Sequence, residues 1–342
     1  METFEPHRRL RNGHAMTLWA WARRREFPQL PAPADRLVEV AADARVLAHC
    51  YFHRDVRAHP TLIVLHGLEG SSTAHYMRGV AAKGWAAGFN VALLNQRNCG
   101  GTEHLAATLY HSGLTADVDV LLRQLTAEGH RSIVVAGYSL GGNLALKLAG
   151  DYGATPPAAL RGAVAVSPVM DLPRCVDALE RRSNVIYQWN FVRNLKGRMR
   201  RKAALFPDEF SVEPLGRIWT VRQFDEVYTA PYYGFRDATD YYHRASAMRG
   251  IERIAVPTLI LTAENDPFVP PAPFRDPAVT GNRHITAVIT REGGHCAFIE
   301  ASGDGYDGYW AEKEVVRFAT AAWQDAASAP SRTRDLSLPL RA

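Results

Sequence analysis

Three residue types decide what chemistry this chain can do: a serine between glycines, an aspartate and a histidine. The serine lies in VVAGYSLGGNLALKL (134–148), where Gly137-Tyr138-Ser139-Leu140-Gly141 joins a strand-like apolar run to a helix-like one. In G-x-S-x-G the serine occupies a sharp strand-to-helix turn. The flanking glycines admit close backbone approach, and Oγ is lifted beside the helix N-terminus. The plainer alternative is a tight turn whose serine merely caps a helix, but the strand before it and the helix after it favour a nucleophile. A hydroxyl is a poor nucleophile until a base takes its proton, and that base needs a carboxylate to orient it. On a parallel sheet with this elbow the acid and then the base follow in sequence, on loops after late strands. PTLILTAEN leads into Asp266-Pro267-Phe268, and HITAVITRE leads into Gly293-Gly294-His295. Asp266 is therefore the expected acid and His295 the expected base. Two rival acids are Asp171, which follows the strand ending at Val169, and Glu264, which lies inside its own strand.

Acyl transfer also needs donors for a developing oxyanion. One is the backbone N–H of Leu140, directly after the nucleophile. The other is expected from LIVLHGLEGSS (62–72), where a strand ends at His66-Gly67 and the N–H of Leu68 points into the site. The alternative for HGLEG is a glycine-rich turn opening a helix. A serine acyl-enzyme resolved by water implies no metal and no organic cofactor.

The elements that must position these residues alternate between short apolar runs and helix-length segments. Strands are expected at 44–52, 61–67, 90–97, 132–139, 162–169, 257–265 and 284–292, with helices near 73–88, 115–129, 140–150 and 310–324. Runs such as IVVA and TLILT are apolar on both faces, as in a parallel sheet covered on each side by helices. The fold class is α/β: a mostly parallel central sheet with helices on both faces and a mainly helical cap. The expected division is a core over 1–169, including an N-terminal extension 1–35, then a cap insertion over 170–250. The core resumes over 251–325, and 326–342 form a polar tail.

Composition sets the remaining bounds. The chain has 342 residues, 47% of them hydrophobic and 22% charged, and a formal charge of +5. Its basic excess is local, at Arg23 to Arg25 and from Arg193 to Lys202, which fits a solvated surface and no nucleic-acid partner. Cys50, Cys99, Cys175 and Cys296 lack metal-site or disulfide-framework spacing. Cys296, beside His295, is expected to be a small buried hydrophobe. METFEPHRRLRNGH has no apolar h-region, and the apolar runs are shorter than the ~20 residues of a membrane span. A cytoplasmic protein is expected, with its oligomeric state open.

The residues also resemble those of a known family, the YheT-like branch of the α/β-hydrolases. The resemblance spans nearly the whole chain: LRNGHAMTL, HGLEGS, NQRNCGGTEHLAATLYHSGLTADV, GYSLGGN, QFDEVYTAPYYGFRDATDYY, NDPF and GGHCAFI. It implies a serine hydrolase of esters with nucleophile, acid and base on Ser139, Asp266 and His295. Some eukaryotic relatives act on lipid acyl groups or transfer acyl chains to alcohols. Arg97-Asn98-Cys99-Gly100-Gly101 departs from the family's RGCSG-like run at Asn98, a residue that tolerates positive φ. His111 is expected to be structural, the alternative being a hydrogen bond near the site. Asn143 either steadies the elbow or faces solvent.

In VIYQWNFVRNLKGRMRRKAALF (185–206), Ile186, Trp189, Val192 and Leu195 are expected to pack on the body while the interleaved basic residues are solvated. The alternative is a basic amphipathic helix that meets anionic lipid. Trp19 and Trp21 in MTLWAWARRR are likewise expected to pack against the domain. The resulting expectation is a carboxylesterase for small-molecule esters, either short- to medium-chain acyl esters or lipid-like ones. Acyl transfer to an alcohol and a non-catalytic binding module are the alternatives.

Overall fold

The computed structural model describes residues 2–328, so the expected tail lies, from residue 329 on, outside the described residues. Eight strands form one sheet: β1 (Ala34–Ala41), β2 (Ala44–Tyr51), β3 (Thr61–Leu65), β4 (Asn90–Leu94), β5 (Ile133–Tyr138), β6 (Leu160–Val166), β7 (Thr258–Ala263) and β8 (Ile285–Thr290). Their spatial order is β1-β2-β4-β3-β5-β6-β7-β8. β1 and β2 form an antiparallel hairpin, and β2 runs antiparallel to β4. All pairs from β4 to β8 are parallel.

The two-faced apolar runs explain the layers. In β3, Ile63 and Leu65 join one core cluster while Leu62 and Val64 join the other, because alternate side chains of a strand leave opposite faces. Helix α1 (Gly13–Ala22) precedes the sheet, α2 (His75–Ala86) follows β3, α3 (Ala116–Ala127) follows β4, and α4 (Leu140–Tyr152) follows β5. Between β6 and β7 stand α5 (Leu172–Leu179), α6 (Val185–Leu205) and α7 (Ala238–Ala245), and a closing helix, α8 (Trp310–Ser328), follows β8. A further helical stretch between α6 and α7 turns π-helical at Asp225–Thr229. We refer to residues 170–250 as the cap. α2 and α8 cover one face of the sheet. α3 and α4 cover the other, and their core continues into the cap through Val192, Leu195 and Met199.

Four expectations need correction. β1 was not expected, because in ADRLVEVA only Val38 is fully buried and an edge strand leaves no apolar run. The strand expected over 90–97 ends at Leu94, since Asn95, Gln96 and Arg97 turn away to bond Ser72, His66 and Asp117. Val192 and Leu195 of α6 are buried, but Ile186 and Trp189 are exposed. Three-residue spacing precesses by about 60° per step around a helix, so these four side chains cannot share one face. Trp19 and Trp21 are also exposed, because Met16, Thr17 and Ala20 take the buried face of α1.

Candidate active site

Ser139 sits at the junction of β5 and α4 with φ 55° and ψ −114°, a conformation L-residues rarely adopt. The glycines make that turn possible. A Cβ on Gly137 would lie 2.0 Å from the Gly141 oxygen, and one on Gly141 would lie 2.3 Å from the Leu65 oxygen. The Ser139 N–H donates to Val166 at 2.9 Å, which ties the elbow to β6. Asn143 steadies the helix behind it. Buried, it donates to the Ser112 and Ala245 carbonyls at 2.8 and 2.9 Å and accepts from the Ala247 N–H at 2.8 Å.

The structure brings Asp266 and His295 together from the loops after β7 and β8. His295 Nδ1 lies 2.8 Å from Asp266 Oδ2. The other carboxylate oxygen, Oδ1, accepts the Phe268 and Val269 N–H groups at 3.1 and 3.0 Å, which fixes its orientation. The Phe268 ring packs 4.0 Å from the imidazole centroid. Burial opposes charge on the imidazole, but the adjacent Asp266 carboxylate outweighs it and raises the ring's proton affinity above the ordinary histidine value. Ser139 and His295 open on the same cleft, of about 420 Å³. The rival acids are engaged elsewhere. Asp171 caps α5 and pairs with Arg174, and Glu264 pairs with Arg275.

The loop after β3 reaches Ser139. A Cβ on Gly67 would lie 3.2 Å from Ser139 Cβ, so the backbone leading to Leu68 passes directly over the serine. Leu140 is the first residue of α4, and its N–H therefore has no intrahelical partner. The loop is held from several sides. Gly67 N–H donates to the Tyr76 hydroxyl at 3.0 Å, and the buried neutral His66 accepts from Gln96 N–H at 3.1 Å. Burial depresses the His66 pKa to about 4.

Several contributors were not legible in the sequence. Glu69, with φ 56°, donates its N–H to the Tyr110 hydroxyl at 3.0 Å and accepts that hydroxyl's proton on Oε1 at 3.0 Å. The same Oε1 meets Arg198 Nη2 of α6 at 3.0 Å, and both side chains of this pair are buried. Arg198 stands in a run of basic residues that reads as solvated, and nothing in its spacing marks it as the buried member. Thr17 of α1 accepts the His295 N–H at 2.8 Å, again without a motif. Cys296 is half-buried and lines the cleft, contrary to the expectation of a buried hydrophobe. Asn98 adopts φ 62°, in keeping with its tolerance of the left-handed region. His111 accepts the Gly113 N–H at 3.1 Å and packs against Tyr233 and Phe235, and burial lowers its pKa to about 3. It is neutral, and it lines the narrow cavity beside Ser139.

A second, narrower cavity of about 80 Å³ leaves Ser139 on the cap side. Leu140, Val169, Leu172, Phe191, Leu195 and Phe224 make most of it apolar, and Asp225, Thr229 and Arg198 add polar groups to its wall. α6 separates the two spaces: Ile186, Asn190 and Asn194 face the cleft, whereas Leu195 and Arg198 face the narrow cavity.

With this geometry in hand, comparison with known proteins is informative. Residues 62–306 match the model of the alpha/beta hydrolase family. YheT of Escherichia coli (strain K12), named as an esterase, is 36% identical over 247 residues, covering 70% of this chain and 71% of its own. The chain belongs to the α/β-hydrolase family. Within it this hydrolase is YheT-like and of the esterase type. Phospholipase ABHD3 of Mus musculus is 25% identical over 300 residues, covering 83% of this chain and 72% of its own. An esterase of Pyrococcus furiosus shares the fold, with a TM-score of 0.56 at 14% identity, covering 84% of this chain and 92% of that one. Among the described residues no helix is long and apolar enough to cross a membrane.

Proposed function

We propose that this α/β-hydrolase cleaves carboxylic esters through an acyl-enzyme on Ser139, with His295 as base and Asp266 as its orienting acid. The observation that carries the proposal is the 2.8 Å contact between His295 Nδ1 and Asp266, on a ring that opens on the same cleft as the strained Ser139. Ser139 Oγ attacks the carbonyl carbon while its proton passes to His295 Nε2. The carbonyl oxygen becomes an oxyanion held by the N–H groups of Leu68 and Leu140. His295 returns the proton to the departing alcohol oxygen, the C–O bond breaks, and the acyl group stays on Ser139. Water then attacks the acyl-enzyme, losing a proton to His295. The acid leaves and Ser139 recovers its proton.

The two cavities divide the substrate. The narrow apolar cavity suits a short- to medium-chain acyl group, and the wide cleft suits the alcohol portion. Labelling with a fluorophosphonate, located by peptide mass spectrometry, tests the assignment. Label is expected on Ser139 alone and is lost in His295→Ala. On p-nitrophenyl esters of graded length, Ser139→Ala is expected to lower kcat by about 10⁶. Labelling of another residue, or full activity in Ser139→Ala, overturns it.

A further inference from the structure

The outward face of α6 has no role in the chemistry above, and its composition is unusual. The helix carries Arg193, Lys196, Arg198, Arg200, Arg201 and Lys202 and no acidic residue. At about 100° per residue, Val185, Ile186, Trp189, Arg193, Lys196 and Arg200 fall within an arc of about 100°, opposite the buried Leu195 and Arg198. Their exposure follows that geometry. Val185, Ile186 and Trp189 are 62%, 60% and 61% exposed, and Trp219 beside them is 71% exposed. Cations and rings interleave, with the Arg193 guanidinium 5.5 Å from the Trp189 centroid and Lys196 Nζ 4.9 Å from that of Trp219.

Exposed aromatic and aliphatic side chains grouped with cations and free of carboxylates on one helix face suit a particular boundary. Indole rings settle at the level of lipid headgroups, where one edge meets hydrocarbon and the other meets water, and arginine and lysine there attract anionic lipid. The position of the face adds to this. Ile186 lines the cleft that holds Ser139 and His295, and across that cleft stands Trp21 of α1, 67% exposed, followed by Arg23 and Arg24. Both rims of the cleft therefore carry the same combination.

We propose that the outward face of α6, with Trp219 and the Trp21 rim, docks this hydrolase onto an anionic phospholipid bilayer, with the catalytic cleft turned towards the lipid. Docking itself is independent of the reaction. That the bound surface also supplies the ester rests on the acyl-enzyme proposal above.

The test uses full-length Ser139→Ala protein, which cannot consume the lipid by the proposed route. It is sedimented with vesicles of phosphatidylcholine alone or with about a third phosphatidylglycerol, near 0.15 M salt, where charge interactions reach ~8 Å. Binding is expected to the anionic vesicles and to be weak on the neutral ones. Replacing Arg193, Lys196 and Arg200 by alanine is expected to weaken it about a hundredfold, at about fivefold per cation. Trp189→Ala with Trp219→Ala is expected to diminish the vesicle-induced blue shift of tryptophan emission, the remainder coming from Trp21. In the Ser139 background, neither set alters hydrolysis of a soluble p-nitrophenyl ester, because none of these five residues lines either cavity. Equal binding to both vesicle types, no binding, or binding untouched by the substitutions overturns the proposal. So does a dimer that both substitution sets dissociate, since the face then belongs to a second copy of the chain.

Discussion

The loops at the carboxyl ends of the strands and the cap that covers them hold buried charge in different ways. After β7 and β8, Asp266 has three partners in fixed geometry: the His295 imidazole and two backbone N–H groups two and three residues further on. In the cap, Arg198 is buried against Glu69, a residue 129 positions earlier in the chain (198 − 69), and Asp225 meets only the hydroxyls of Thr229 and Tyr242. Charge in the first region is oriented by a local turn, with donors two and three residues away. In the second it is held by tertiary contacts particular to this chain. Substitutions at three places, Asp266, the Arg198–Glu69 pair and Asp225, probe that difference in order of decreasing effect.

Asp266→Asn gives the largest effect. It keeps the shape of the side chain but removes the charge, so the imidazole loses the partner that fixes its tautomer, and kcat is expected to fall about 10⁴-fold. The pH profile carries the sign. In the native protein the carboxylate raises the proton affinity of His295 against the effect of burial, so the rising limb of kcat/KM lies above pH 6.5, the ordinary histidine value. In Asp266→Asn the raising effect of that carboxylate is gone, and the residual rising limb moves below the native one. A limb that stays in place in both proteins would mean that another group controls the reaction, and would break the comparison.

The same contrast explains how much was legible beforehand. β3, β5 and β7 are apolar on both faces, and a turn glycine or a strand end lies next to each candidate residue. Pattern alone therefore placed Ser139, Asp266, His295 and Leu68 at one edge of the sheet. What failed was whatever depends on a distant neighbour. β1 has one fully buried residue because it is an edge strand, and an edge has no periodic apolar signature. Arg198 and Arg200 look alike in RMRRK, and the carboxylate of Glu69, reaching the cap from the loop after β3, distinguishes the buried one. Thr17 bonds His295 N–H from a helix 278 residues away, a separation that no local pattern encodes.

The Arg198–Glu69 pair joins the cap to the loop that bears Leu68, so breaking it has two effects that can be read separately. Glu69→Gln or Arg198→Met leaves one buried charge without its partner, which costs about 3–5 kcal/mol of stability. Because Glu69 directly follows Leu68, loosening its side chain also lets the proposed oxyanion donor drift. For Glu69→Gln we expect kcat to fall by about 10–100-fold, equally for every acyl length, with KM little changed. The double variant Glu69→Leu, Arg198→Met removes both charges and is expected to recover most of the stability but not the rate. Losses that grow with acyl length would instead place Arg198 in the recognition of the chain.

Asp225 gives the smallest effect and the most direct view of the cap. Burial raises its carboxyl to about 6 from 3.8, although the Thr229 and Tyr242 hydroxyls favour the ionised form. A carboxyl raised on folding binds its proton more tightly in the native state than in the unfolded one. Stability is therefore full below pH 3.8, the unfolded value, and is lost as pH rises through the window up to about 6. Asp225→Asn has no ionised form to bury. Its unfolding free energy, measured in urea, should match the native protein at about pH 3–4 and exceed it by about 2–3 kcal/mol above the window, a shift of about two pK units at 1.36 kcal/mol each. Asp266 stands in contrast, its carboxylate held by the His295 ring and two backbone N–H donors. If Asp225→Asn shows no gain above the window, hydroxyl donors suffice to hold a buried carboxylate.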